Sequence, residues 1–279
     1  MRIKREPLTP DMTRDRVLQA LCSRKFNRIA VNDFERQKIG ILFDKENIYR
    51  TRVVNNPECY TPMGLLVIGV LECELLWGYP RRNFANKNDI ETLARLREID
   101  SRVADIYQPG LQITVIFTDS HAHLNGRNKD DMASYRMDIT SKMSDMRLCS
   151  GKLRGEIASS WQLDYFDRYE KYVYGDIDRC LSGSLDRLKE EFERSKVKDR
   201  LIRAAAKHCT TKEPEEGAFI YYAMRKFEAE KIFDRKFEDA PEPIFLTYTS
   251  PDFRELLPKR PPVLFLYSHG TNSKPPWID

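Results

Sequence analysis

The sequence lacks the short motifs that mark several large enzyme classes. It contains neither of the glycine-rich phosphate-binding patterns GxGxxG and GxxxxGK[ST], no GxSxG nucleophile turn and no HExxH zinc motif. These absences disfavour enzymes that use a nicotinamide cofactor or a nucleoside triphosphate. We therefore expect no bound cofactor and no resident metal ion.

Paired cysteines and long apolar runs are also missing. The six cysteines are scattered, no CxxC pair occurs and no secretory leader precedes them, so neither a zinc knuckle nor a disulfide framework is indicated. The longest apolar run, Gly64 to Leu71, is far shorter than the roughly 20 residues that span a bilayer. These features predict a cytoplasmic protein with reduced thiols and no membrane segment.

Neither sign of charge dominates. The chain has 47 Lys and Arg against 43 Asp and Glu, which gives a formal net charge of +4 at pH 7. Nucleic-acid-binding domains usually show a clustered basic stripe and a pI above about 9, whereas the pI here is about 8.6, so no nucleic-acid partner is expected. The mild positive excess suits a small anion such as a phosphate. The oligomeric state is left open.

The 279 residues are enough for one large domain, since single cores stop growing near about 250 to 300 residues. Residues 1–12 are charged and carry no apolar period, which predicts a flexible arm. A single α/β domain over 13–279 is expected, with Thr13 capping its first helix and a first strand at Lys38 to Phe43.

A strand, a helix and a second strand follow one another in the central part of the chain. Met63 to Trp77 begins as a continuous apolar run, Ile90 to Tyr107 repeats apolar residues at spacings of three and four, and Leu111 to Phe117 is rich in β-branched residues. Such a βαβ unit favours a parallel sheet.

The remainder of the chain is mostly helical in pattern. Residues 129–237 predict helices, and two short strands, Ile244 to Tyr248 and Val263 to Tyr267, complete the sheet within 244–268. The predicted fold is α/β and Rossmann-like, with a mostly parallel sheet and an added helical layer or subdomain.

Polar residues cluster directly after the strand Leu111 to Phe117. The segment Thr118 to Gly126 reads TDSHAHLNG, and ligands of parallel sheets bind beyond the carboxyl ends of the strands. Asp119 can orient or deprotonate an amine, and His121 or His123 can shuttle a proton near neutral pH. Ser120 and Asn125 are predicted substrate contacts. The alternative is that Asp119 and Ser120 only cap the loop or the following helix.

A basic turn follows the preceding strand and is expected at the same edge of the sheet. In it, Arg81 and Arg82 can clamp a phosphate or carboxylate, and Asn83 is a further predicted contact. An exposed turn with weak salt bridges is the alternative. Three further candidate substrate contacts come from a later helix and from the C-terminal tail: Arg225, His269 and Lys274.

The pattern DSHAHL also matches the strand-end HxH motif of metal-dependent hydrolases, in which two imidazoles hold one metal. Only His208 and His269 remain as further histidine ligands, and His208 lies in a helical run where a surface or partly packed imidazole is more common. A non-catalytic protein that binds a small ligand is the third alternative.

A series of short motifs follows a fixed order along the chain: Pro80-Arg81-Arg82-Asn83, the helix Ile90 to Tyr107, Tyr107-Gln108-Pro109-Gly110, the strand Leu111 to Phe117, Thr118-Asp119 and Pro276-Trp277. This order resembles the pyoverdine/dityrosine biosynthesis family, the isonitrile synthases. The chain departs from the family in having arginines where the basic turn tends to have lysine, and Thr118-Asp119-Ser120 where the family has serine-aspartate-glycine.

The resemblance implies an enzyme of secondary metabolism that condenses the α-amine of an amino acid with a sugar phosphate such as ribulose 5-phosphate. One carbon is retained as an isonitrile, or the chain is a relative that acts on an amino-acid-like substrate. In this hypothesis Arg81 and Arg82 hold anionic groups, Asp119 contacts the amine and His121 or His123 moves protons.

Overall fold

The structure is a computed structural model that describes residues 9–55, 70–146, 185–227, 229, 242–269 and 275. Within these residues, helices flank a parallel sheet on both faces. The strands are β1 (Leu71–Trp77), β2 (Leu111–Phe117), β3 (Ile244–Thr247) and β4 (Val263–Phe265). The helices are α1 (Pro10–Leu21), α2 (Asp33–Asn55), α3 (Lys87–Ala104), α4 (Asp119–Leu124), α5 (Lys129–Met146), α6 (Leu185–Arg194), α7 (Lys198–His208) and α8 (Pro214–Phe227).

The sheet has four strands in the order β2-β1-β3-β4, and every neighbouring pair is parallel. Strands β1 and β2 are joined through α3, and their register places Trp77 opposite Phe117 at the end of both strands. The segments that follow the strands therefore start at one edge of the sheet. The predicted α/β class with a parallel sheet and an added helical layer is confirmed.

Two hydrophobic clusters lie on opposite faces of the sheet. Leu75 and Trp77 belong to the first cluster, together with residues of α1, α2, α3 and α5. Leu76 and Phe245 belong to the second, together with residues of α6, α7 and α8. Successive side chains of a strand alternate between the two faces. Because burying a Leu or Phe contributes about 1.5–3 kcal/mol, apolar burial holds both helical layers against the sheet.

The helix predicted over Ile90 to Tyr107 is confirmed as α3, with bounds three residues earlier at each end, and it begins with a capping box. The Asn86 side chain accepts hydrogen bonds from the backbone N–H of Asn88 (2.9 Å) and Asp89 (3.2 Å). The Asp89 carboxylate accepts one in return from the Asn86 N–H at 2.8 Å. This reciprocal pairing satisfies N–H groups that a helix start leaves unpaired.

The expected strand from Lys38 to Phe43 is wrong, because these residues lie inside α2. Ile39 and Phe43 are buried, whereas Ile41 is 48% exposed. Residues four apart share one face of a helix and residues two apart do not. The short apolar run is therefore the buried stripe of a helix.

The first helix begins earlier than predicted. Helix α1 starts at Pro10, and the side chain of Thr9 caps it by accepting a hydrogen bond from the backbone N–H of Met12 at 3.3 Å. Thr13 is therefore inside the helix. Residues 10–12 belong to α1 rather than to the predicted arm, and residues 1–8 lie outside the described residues.

The later elements follow the predicted order with different bounds. Helices α5 to α8 occupy the described part of the expected helical region, and residues 147–184 lie outside it. Strands β3 and β4 are shorter than predicted, and a 3-10 helix, Pro251–Leu256, lies between them. The expected strand Met63 to Trp77 is described from residue 70 onward. None of the described helices is both long enough and apolar enough to cross a membrane.

Candidate active site

The segments that follow β1 and β2 begin beside each other. The backbone N–H of Thr118 donates a hydrogen bond of 2.9 Å to the carbonyl oxygen of Trp77, and the Thr118 hydroxyl donates to the same oxygen at 3.3 Å. Both segments therefore leave the sheet at one rim, as the parallel pairing predicts. Their position beyond the carboxyl ends of the strands is the usual ligand site of such sheets.

A cavity of about 610 Å³ opens at this rim. Its walls come from the segments after β1, β2 and β3, from α7 and α8, and from the 3-10 helix. A volume of this size falls within the range of about 300–1,000 Å³ typical of small-molecule sites. The cavity is therefore the candidate active site.

The predicted polar loop from Thr118 to Gly126 contains a short helix, α4. The HxH pattern therefore lies in a helix, whereas the hydrolase motif requires it at the end of a strand. His121 and Asn125 line the cavity. Asp119, Ser120 and His123 belong to the same segment, but their side chains lie outside the described part of the structure.

His121 and Asn125 are both held by Tyr221 of α8. The His121 and Tyr221 rings stack with centroids 6.2 Å apart and planes 18° apart, and the Tyr221 hydroxyl donates a hydrogen bond to Oδ1 of Asn125. Burial raises the pKa of Tyr221, and Cys209 adds to that rise while Arg127 opposes it. Tyr221 therefore stays protonated and acts as a hydrogen-bond donor at neutral pH.

The cavity is rich in positive charge. None of the described residues that line it is an aspartate or a glutamate. The Arg81 guanidinium donates from Nη2 to the carbonyl oxygen of Lys207 at 3.5 Å, which links the basic turn to α7. A site with this charge balance attracts anionic ligands. The five cationic residues of the lining are Arg28, Arg81, Arg127, Lys207 and Arg225.

Arg28 reaches the cavity from the segment after α1. Its Nη1 donates to the carbonyl oxygens of Tyr248 at 3.3 Å and Thr249 at 3.2 Å. Burial lowers the pKa of Arg28, and the nearby Tyr267 and Asp252 oppose that effect. Because arginine titrates so far above neutral pH, Arg28 still contributes a positive charge to the site.

Arg82 has a different position from Arg81. It does not line the cavity, and its guanidinium Nη2 lies 2.7 Å from Oδ2 of the fully buried Asp89. Oδ1 of the same carboxylate accepts a hydrogen bond from the Tyr135 hydroxyl at 2.8 Å, which in turn accepts one from Trp77 Nε1 at 3.0 Å. Arg82 therefore anchors the basic turn to the core.

Only some of the other predicted substrate contacts line the cavity. Arg225 lines the cavity. Asn83 is exposed and does not line it. Nδ1 of His269 lies 3.1 Å from the Ser268 hydroxyl, and His269 is also absent from the cavity lining. Lys274 lies outside the described residues.

His208 is a cavity residue that the sequence pattern assigned to a surface or partly packed position. It is the last residue of α7 and lines the cavity. Burial lowers its pKa, and the positive charges of Lys207, Arg127 and Arg81 lower it further. The spacing of Leu201, Ala204 and His208 on one helical face is the only sequence signal that could have linked it to the site.

Comparison with known proteins identifies a match at the level of structure. No protein-family model matches this chain, and no curated protein matches it. The structure superposes on the crystal structure of the PvcA protein from Pseudomonas aeruginosa with a TM-score of 0.54 and 15% sequence identity. The chain shares the fold of PvcA. The match covers 95% of this chain and 87% of PvcA, so the shared fold extends well beyond the sheet.

Among the described residues, no group of three or more His, Cys, Asp or Glu side chains is placed to hold a metal ion.

Proposed function

We propose that this chain is a biosynthetic enzyme of isonitrile-synthase type that condenses the α-amine of an amino acid with a sugar phosphate. The observation that carries the proposal is the cationic cavity at the carboxyl edge of the sheet, which suits two substrates that both bear anionic groups. The motif order along the chain supports it. So does the fold that the chain shares with PvcA.

Arg81 and Arg225 hold the phosphate of the sugar and the carboxylate of the amino acid. Arginine suits this role because its planar guanidinium can donate two parallel hydrogen bonds to one anion. Arg127 and Lys207 add positive charge to the same lining. Arg82, predicted from the sequence to be a second clamp, fixes the turn that carries Arg81 through its ion pair with Asp89.

The reaction also needs a neutral amine, because only the unprotonated nitrogen has a lone pair to attack a carbonyl carbon. Asp119 contacts this amine in the proposal, and His121 or His123 moves protons in the steps that follow its attack on the carbonyl carbon. Asp119 is the first residue of α4, at the rim shared by β1 and β2.

The cavity also has an apolar part that suits the side chain of the amino acid. Leu201 and His208 lie seven residues apart on α7, which corresponds to about 10 Å along a helix. Leu201 packs in the second hydrophobic cluster, while His208 lies beside Lys207 at the cationic end. Phe253 and Leu257 continue the apolar part of the lining. These residues favour an amino acid with an apolar side chain as the substrate.

Incubation of the protein with ribulose 5-phosphate and each common amino acid tests the proposal. Mass spectrometry should detect an isonitrile, and ribulose labelled with carbon-13 should deliver its label to the isonitrile carbon. An Arg81→Gln variant should lose most of the activity while remaining folded. A folded native protein that yields no product from any of these amino acids would contradict the proposal, and binding without turnover would favour the non-catalytic alternative.

A further inference from the structure

The end of α7 is held between the two segments that leave the sheet. On one side, Arg81 donates to the carbonyl oxygen of Lys207 at 3.5 Å. On the other side, the Thr211 hydroxyl donates to the carbonyl oxygen of Leu124 at 2.8 Å, and the Cys209 thiol donates to the same oxygen at 3.6 Å. His208 lies between these anchor points and lines the cavity. Its position is therefore fixed from both sides of the rim.

We propose that His208 is the catalytic base that removes a proton from the ammonium group of the amino-acid substrate. This inference rests on the proposed function and assigns one of its steps. The N–H bond of the ammonium breaks, its electron pair stays on nitrogen, and the proton moves to the imidazole. The products of the step are a neutral amine and an imidazolium, and no other reactant is needed.

The remaining groups of the described lining are poorly suited to this step. Arginine stays protonated at neutral pH, and Tyr221 keeps its proton because burial raises its pKa. Among the described lining residues, only His121 and His208 have side chains that ordinarily titrate near neutral pH. The His121 ring is 9% exposed and stacked on Tyr221, which restricts its movement toward a substrate.

The charges around His208 keep the imidazole in the form that a base needs. Lys207 on the same helix, Arg127 after α4 and Arg81 after β1 all lower its pKa, in addition to burial. Arg225 and Tyr221 of α8 line the same cavity. At neutral pH the imidazole is therefore mostly neutral. Binding of a phosphate or carboxylate offsets the positive charges, and His208 then accepts a proton more readily.

Steady-state kinetics of a His208→Gln variant test the assignment. Glutamine keeps a polar side chain but cannot take up a proton near neutral pH. A general base contributes about 10²–10⁴-fold to a rate, so we expect kcat to fall by about 100-fold or more, while KM for ribulose 5-phosphate changes less than about threefold. The acid limb of the kcat/KM profile should also disappear. Arg203→Gln, on the exposed face of the same helix, is the matched control and should behave as the native protein.

A titration of the native protein provides a second measurement that does not depend on a variant folding. The chain has four histidines, so their NMR signals are few enough to assign. The midpoint of the His208 signal should lie below the ordinary value of about 6.5 and should rise when inorganic phosphate is added. A midpoint unchanged by phosphate, or a His208→Gln variant with native kcat and an intact acid limb, would overturn the assignment.

The outcomes separate the two proposals. If the native protein forms product and His208→Gln is as active, the base assignment fails and the proposed function stands. If the folded native protein forms no product at all, the proposed function fails, and the base assignment falls with it.

Discussion

Nη2 of Arg82 lies 2.7 Å from Oδ2 of Asp89, and the Asp89 side chain has no exposed surface. The same carboxylate accepts a hydrogen bond from the N-cap residue of α3 and another from Tyr135. One buried charge thus connects the turn after β1, the start of α3 and the face of α5. Removing one partner of such a pair leaves the other charge buried without compensation.

Asp89→Asn should therefore lower the free energy of unfolding substantially. Breaking a buried ion pair by removing one partner costs about 3–5 kcal/mol, and we expect a loss near the lower end of that range because asparagine can keep one hydrogen bond. Glu91→Gln, which removes the exposed ion pair with Lys87 at 3.6 Å, should cost no more than about 1 kcal/mol. Urea denaturation measures both variants, and equal losses would contradict the structural role of Asp89.

Arg81 and Arg82 should respond differently to the same replacement. Arg81→Gln removes a cavity cation and should change the stability little. It should weaken binding of ribulose 5-phosphate by about 10- to 150-fold, since a charged hydrogen bond contributes about 1.5–3 kcal/mol. Arg82→Gln should mainly lower stability. Isothermal titration calorimetry and thermal melting measure the two effects. Equal loss of stability in both variants would show that the basic turn works as one unit.

Tyr221→Phe removes the hydroxyl that donates to Asn125. A typical hydrogen bond contributes about 0.5–1.5 kcal/mol to stability, so the variant should lose a similar amount. The same loss is expected from Asn125→Ala. If the two side chains act through this bond, removing both should cost little more than removing one. The double variant should then lie within about 0.5 kcal/mol of the less stable single variant, which is the usual error of additivity. Fully additive losses would contradict the coupling.

Gly126→Ala should destabilise the turn after α4 for two separable reasons. Gly126 has φ +66, a conformation that costs other L-residues about 1–2 kcal/mol, and an added Cβ would collide with the Thr210 hydroxyl. Introducing Gly126→Ala in a Thr210→Ala background removes the collision and leaves the backbone cost. Thermal melting of both variants should therefore show a smaller loss in the second background. Identical losses in both would exclude the collision.

Stability should fall in mildly acidic solution because of His208. Its folded-state pKa is lowered, by burial first and then by Lys207, Arg127 and Arg81. The unfolded chain therefore binds the proton more readily, and acidification through the ordinary histidine pKa of about 6.5 favours unfolding. His208→Gln should flatten this part of the pH dependence. Urea midpoints between pH 5.5 and 7.5 measure the slope, and parallel curves for the two proteins would contradict the prediction.

Local patterns predicted the central βαβ unit well. The apolar period of α3 and the β-branched run of β2 are properties of neighbouring residues, and a crossover helix between two strands favours a parallel pair. The common rim of Trp77 and Thr118 follows from that pairing. Local patterns failed at Lys38 to Phe43, where six residues are too few to distinguish a buried helical stripe from a strand.

Arg81 and Arg82 have different roles that the local sequence does not predict. The two residues are adjacent and chemically identical, yet one lines the cavity and the other pairs with Asp89. Their roles depend on where the N-terminus of α3 and the face of α5 lie in space. Those positions are set by packing in the first hydrophobic cluster.

The sequence by itself determined the class of fold and the edge of the sheet at which polar residues gather, because strand and helix periods reflect contacts with near neighbours. Only the tertiary structure decided which side chains complete the cavity. His208 and Lys207 lie more than 80 positions beyond Thr118 in the chain, and burial of the apolar stripes of α7 and α8 against Leu76 and Phe245 places them over the rim. That burial depends on long-range complementarity of surfaces, which no local period encodes.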